Sequence, residues 1–410
     1  MHINKLTLDN GLRLVHHEDA STQMVALNLV YDVGARDEHP DHTGFAHLFE
    51  HLMFEGSLHI PDYDTPLQLA GGENNAWTNN DLTNFYLTIP YANVETAFWL
   101  ESDRMLELAF SERSLEVQRG VVMEEFKQRC LNQPYGDVGH LMRSLAYRVH
   151  PYRWPTIGRD LSHIYEATLD DVRRFFFRFY APNNAVLAVT GHISWDETVR
   201  LAQKWFGPIQ SREVPVRRLP AEPLQTEERR KQVVRQVPLD ALFMAYHMCD
   251  RMHPDYYAFD ILSDILANGR SSRLNRRLVQ ERKLFSSIDA YISGSRDAGL
   301  FQISGRPLPG VTLEQAEEAV RQEIELLKTQ PVDSFELEKV KNKFESTQIF
   351  GNINYLNVAT NLAYYELIGQ AEDIDLEVSR YRAVTDEHLS EVARQAFRPD
   401  NLSVLYYEKA

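Results

Sequence analysis

The stretch His47-Leu48-Phe49-Glu50-His51 sets two imidazoles four residues apart with a carboxylate beside the second. On a helix, positions i and i+4 share one face, a turn apart. Two neutral imidazoles at that spacing can grip one Zn²⁺ ion, and Glu50 stands where it can take the proton of a water activated by the ion. The flanking residues Phe45, Leu48, Leu52, Met53 and Phe54 are apolar, which buries the helix and leaves the polar trio facing a cleft. Gly56 reads as the stop that follows it.

A catalytic zinc site takes three protein ligands and keeps one position open, so a third donor is required. The helical pattern over Glu112 to Leu131 carries Val121, Val122, Glu124, Glu125 and Phe126. Glu125 follows Val122 and Val121 at helical spacing, on the apolar face, where a carboxylate would not sit unpaired. Glu124 is the competitor, and its ordinary role is a solvent-facing glutamate. Facing alone favours Glu125. The remaining histidines lack a partner at ligand spacing, and surface or core positions account for them.

The elements that must hold these residues follow from periodicity. Lys5 to Leu8 and Leu12 to His17 read as a hairpin with a two-residue turn at Asn10-Gly11. Met24 to Val33 is a third strand leading toward the motif helix. Asn74 to Thr78 and Thr83 to Ile89 form two further strands, and helices are expected over Val94 to Leu108 and Glu112 to Leu131. A helix from Thr168 to Tyr180, a strand over Ala185 to Thr190 and a helix over Trp195 to Trp205 complete the first half. Composition then shifts to Pro, Arg, Glu and Gln without periodicity, giving a linker at 209–230.

Beyond the linker the same order returns: strands over Lys231 to Val237 and Ala241 to His247, a helix over Asp255 to Ala267, and strands over Ser287 to Ser293 and Leu300 to Gly305. Two long helices and a last helix-strand pair follow. Ala46 to Gly56 (AHLFEHLMFEG) echoes Phe259 to Gly269 (FDILSDILANG), and Pro182-Asn183-Asn184 echoes Pro399-Asp400-Asn401 at nearly the same offset. Duplication is the simplest account. The fold class is α+β, with homologous domains at 1–208 and 231–410. In the second copy His47, Glu50 and His51 are replaced by Asp260, Ser263 and Asp264, so only one half keeps the metal equipment.

The bulk numbers agree with this outline. A chain of 410 residues, 25% charged and 43% hydrophobic, is long enough for two or three globular domains. A net charge of -16 argues against nucleic acid as the partner, and no apolar run reaches membrane-span length. Cys130 and Cys249 have no metal-type spacing. The start of the chain alternates like a strand, which places the protein in the cytoplasm as written; a signal peptide removed beforehand would make it periplasmic.

His47-x-x-Glu50-His51, an inverted zinc-peptidase (inverzincin) arrangement, followed by Glu125 within RGVVMEEFKQR, resembles the pitrilysin and mitochondrial-processing-peptidase family. Asn75-Ala76-x-Thr78, Asp81-x-Thr83, Gly191 and Ser271-Ser272-Arg273-Leu274 extend the resemblance along the chain. It implies Glu125 rather than Glu124 as third ligand to one Zn²⁺ per chain, with Glu50 as the catalytic base. It further implies mostly antiparallel sheets with helices on one face, each domain part of a clamshell around a closed chamber. The substrate, a peptide or unfolded polypeptide, would bind as an added strand near Asn75 and Ala76. Many relatives carry a second Glu where this chain has Gln118, which leaves Gln118 to support the ligand shell by hydrogen bonding.

The resemblance also leads one to expect an Arg and a Tyr, seven residues apart, reaching the substrate from the second half. The matching positions hold Val279 and Ser286; a shifted register would bring in Arg282 or Tyr291. Three readings follow: the zinc-bearing subunit of a heterodimeric metalloendopeptidase whose homologous partner lacks the motif, a self-sufficient homodimer, or a non-catalytic assembly subunit. The complete metal set argues against the third, and Val279 with Ser286 favours the first.

Overall fold

The computed structural model describes residues 1–410. Its first half supplies strands β1 (Asn4–Thr7), β2 (Arg13–Glu18), β3 (Met24–Tyr31), β4 (Glu73–Thr78), β5 (Thr83–Pro90) and β6 (Ala185–Gly191). Its helices are α1 (Phe45–Leu52), α2 (Asp64–Leu69), α3 (Val94–Leu106), α4 (Glu112–Phe126), α5 (Val138–Ala146), α6 (Leu161–Tyr165), α7 (Leu169–Phe179) and α8 (Trp195–Trp205). The second half adds strands β7 (Arg229–Arg235), β8 (Ala241–His247), β9 (Phe285–Ile292), β10 (Leu300–Pro307) and β11 (Leu402–Lys409). It also adds helices α9 (Tyr256–Ala267), α10 (Leu313–Thr329), α11 (Ser334–Gly351), α12 (Tyr355–Ile368), α13 (Glu377–Ala383) and α14 (Asp386–Ala396). Where two long helices are expected, three stand in succession, α10 to α12.

The class is α+β, with two sheets and two sets of helices. One sheet has the order β1-β2-β6-β3-β5-β4 and the other β7-β11-β8-β10-β9. Each is mostly antiparallel with a single parallel pair, β2 with β6 and β7 with β11. The register of β3 shows how its sequence sets the layers. Val25, Leu27, Leu29 and Tyr31 face the core that includes Leu48, Phe49 and Phe176, whereas Ala26 and Val30 face a second apolar layer with Val358, Ala359 and Leu362 of α12. A strand covered on both sides must be apolar at nearly every position, and MVALNLVY is. Its one polar residue is answered: Asn28 exchanges side-chain hydrogen bonds with Asn84 and accepts one from Thr360.

Helices on one face of each sheet therefore form only part of the layering. A single helix lies across the other face of each sheet, and in both cases it comes from the other half of the chain. α12 covers the sheet of the first half, while α5 (Met142, Ala146) packs with Phe243, Ala245 and Leu405 on the sheet of the second. The compact units accordingly differ from a single division at 209–230. One comprises Met1–Lys127, Trp154–Leu219 and Ile349–Leu376; the other comprises Gln128–Arg153, Pro220–Gln348 and Glu377–Ala410.

One local expectation is corrected. The first hairpin turns on Leu8-Asp9-Asn10-Gly11, with the Gly11 N–H donating to the Leu8 carbonyl at 2.8 Å, and Gly11 follows the turn at φ 87°. Glycine is thus the left-handed residue that completes a longer loop, rather than half of a two-residue turn. The segment 209–230 has no helix or strand before Arg229, but its side chains are anchored. Arg212 donates to the carbonyls of Tyr180 and Leu106, and Arg217 pairs with Asp32 and Asp37.

Candidate metal centre

Helix α1 is held by its apolar side. Phe45, Leu48, Phe49 and Leu52 are buried, and Phe49 stacks on Tyr180 at 5.2 Å between ring centroids. Burial, with a smaller contribution from the Glu50 charge, keeps the Tyr180 phenol well above its ordinary range and therefore neutral. The helix ends at Leu52, and Met53 caps it; Gly56 lies beyond, in a left-handed turn at φ 115°. The stop is thus earlier than the glycine.

Against this helix runs α4, capped by Ser111, whose side chain accepts from the Ser114 N–H. The two helices bring His47, His51 and Glu125 together, with one potential ligand atom from each within 4.8 Å of the others. His47 Nε2 lies 3.5 Å and His51 Nε2 3.4 Å from the same oxygen, Glu125 Oε2. Those separations are long for good hydrogen bonds. They match the roughly 3.3–3.4 Å that separates donors bound at 2.0–2.1 Å to one tetrahedral Zn²⁺. Two imidazole nitrogens and a carboxylate are also a donor set that zinc accepts, so the residues present fit the ion. Glu50, on the same helix, is partly exposed.

Glu124 points outward and pairs with Lys127. Of the two valines that place Glu125 on an apolar face, Val122 is fully buried but Val121 is 44% exposed. Gln118 donates its side-chain amide to Glu55, four residues past His51, tying the end of the motif segment to α4. Asn75 and Ala76 lie on β4, the last strand of its sheet, which packs beside α1. The Ala76 N–H is bonded by the exposed side chain of Asn75 at 2.8 Å.

In the second half, Val279 sits in a π-helical turn, Asn275–Glu281, packed against the core. Ser286 is the second residue of the edge strand β9 and donates to the Arg306 carbonyl. Arg282 contacts Gln322 and Tyr291 contacts Gln302.

One contributor escaped the sequence reading. Glu38 is buried before α1 and accepts the N–H groups of Gly44 and Ala46, each at 2.9 Å. Burial pushes its carboxyl up to about 8, against the pull of those two donors. An acid shortly ahead of a helix with glycine at its N-cap is the signal that would have found it.

The family model described as Insulinase (Peptidase family M16) matches residues 13–159, and that described as Peptidase M16 inactive domain matches residues 166–344. The chain belongs to peptidase family M16. Over 400 residues it is 28% identical to the zinc protease PqqE of Helicobacter pylori, covering 94% of this chain and 90% of that protein. It is 25% identical to the uncharacterized zinc protease YmxG of Bacillus subtilis, covering 97% and 96%. The crystal structure of a protease from Helicobacter pylori superimposes with a TM-score of 0.94 at 26% identity, covering 99% of each chain. M16 membership agrees with the pitrilysin-type resemblance of the sequence. No helix of this M16 chain is long and apolar enough to cross a membrane.

Proposed function

We propose that this M16 chain is the zinc-bearing subunit of a metalloendopeptidase, and that His47, His51 and Glu125 hold one Zn²⁺. The observation that carries the reading is the spacing of 3.4 and 3.5 Å from one Glu125 oxygen to the two imidazoles. Bound there, zinc supplies a Lewis acid that makes water nucleophilic near neutral pH and polarises a peptide carbonyl. Glu50 accepts the proton of the attacking water and delivers it to the departing amine. The peptide lies along the open edge of β4. Its backbone takes the Ala76 N–H from the Asn75 side chain, so pairing depends little on side-chain identity.

The chain has Val279 and Ser286 where the resemblance leads one to expect Arg and Tyr, and we assign those donors to a homologous partner subunit. A homodimer is the alternative. Elemental analysis should find one zinc per chain in the wild type and in Glu50→Gln, while the variant hydrolyses unfolded casein at least about 10²-fold more slowly in the presence of a companion subunit. Absence of zinc, or undiminished turnover in Glu50→Gln, overturns the reading. Full turnover by the purified chain alone selects the homodimer.

A further inference from the structure

The first turn of α1 has a capping problem that its own sequence cannot solve. Gly44 occupies the N-cap at φ 90° and ψ 2°, with no side-chain cap bond. A Cβ at Gly44 would fall 2.8 Å from Ile164 Cδ1 and 3.0 Å from the Ile157 carbonyl oxygen. Ser, Thr, Asp and Asn, the residues that normally cap a helix start, are thereby excluded from the position. Yet the third residue of the helix, His47, has to be aimed.

Glu38 meets that need from outside the helix. Its Oε2 accepts from the Gly44 N–H and its Oε1 from the Ala46 N–H, so one carboxylate answers two first-turn donors. Glu38 is only 7% exposed. The loop behind it is braced independently: Asp37 accepts from the Gly34 N–H and pairs with Arg217, and Trp154 donates to the Ala35 carbonyl. Thr43 is fixed as well, its N–H donating to His163 Nδ1 at 3.1 Å.

We propose that Glu38 is a positioning residue for the metal centre, a remote carboxyl cap that sets the pitch of the first turn of α1 and with it the aim of the His47 imidazole. This rests on the metal reading above. The test is Zn²⁺ affinity of the full-length apo chain by chelator competition, measured together with Tm. Glu38→Gln keeps the size but turns one acceptor into a donor facing an N–H, and should weaken zinc binding about 10-fold or more. Asp37→Asn weakens the brace of the same loop while leaving both Glu38 hydrogen bonds in place, and should lower Tm while leaving zinc affinity within about twofold of wild type. Glu38→Asp, a methylene short, should fall between wild type and Glu38→Gln, and carries the same test if Glu38→Gln does not fold. Wild-type affinity in the Glu38 variants overturns the proposal and leaves the metal reading standing. Zinc affinity that merely tracks Tm across both positions overturns it too. A wild-type chain that binds no zinc removes the metal reading and this inference with it.

Discussion

Helices α1 and α9 hold the same place in the order of the two halves, and the contrast between them is chemical. On α1, His47 and His51 meet Glu125 of α4, with one potential ligand atom from each within 4.8 Å of the others, and Glu50 stands on the same helix. On α9 the corresponding residues are Asp260, Ser263 and Asp264. Lys343 of α11 places its Nζ 3.1 and 2.9 Å from the two Asp264 oxygens, and Tyr381 of α13 donates to Asp260 at 2.6 Å. Ser263, where Glu50 would be, turns its hydroxyl back to the Asp260 carbonyl. Both packings bring acidic groups between two helices. In one the carboxylate faces two imidazoles, and in the other it faces a lysine. The two halves thus keep a common order of elements while one gathers imidazoles around a carboxylate and the other an internal ion pair.

The comparison breaks most completely if α1 is made to resemble α9. His47→Asp with His51→Asp should abolish zinc binding and hydrolysis together, since two hard carboxylates replace the imidazoles and no lysine arrives to balance them. Elemental analysis and a peptide assay read both effects.

A smaller effect concerns the proton at the second centre. Burial raises the Asp260 carboxyl from 3.8 to about 6. The folded state then keeps a proton that the unfolded chain gives up above pH 4. Stability should therefore be greatest on the acid side of that window and fall as pH rises through about 6, by on the order of 3 kcal/mol. Denaturant titrations of Asp260→Asn against wild type should show this slope removed.

The smallest change is expected for Lys343→Ala. Its ammonium is half-exposed while Asp264 is buried. Loss of the pair should cost about 1 kcal/mol, visible as a modest fall in Tm. An unchanged Tm would mean that solvent neutralises Asp264 equally well.

What the sequence disclosed was whatever is written in short-range spacing. His47, Glu50 and His51 are readable because one helical turn fixes their relation. β3, β5, β8 and α8 are readable because alternation or helical period runs through each. Glu125 needed a second helix, and there the facing argument was only half sound, since Val121 turned out exposed. Glu38 is harder to read because its effect comes through backbone amides, and its one trace in the sequence is a glycine where a capping side chain would stand. Lys343 was missed because its partner lies 79 residues away along the chain. The placement of α5 and α12 was missed for a related reason: an amphipathic helix shows that it has an apolar side but not which sheet that side will meet.

That last placement bears on how the protein comes into being. During synthesis, Val15, Ala26, Val30, Val186 and Ala188 line a sheet face whose cover, Val358 to Ala363, leaves the ribosome far later. The earlier strands must wait with that face bare, and the nascent chain has every reason to require shelter in the interval. Nor does either sheet own all of its wrapping within one continuous stretch, so a protease nick at residues 209–230 would not release two finished pieces. The duplicated halves, separable by eye in the sequence, complete each other and mature as one.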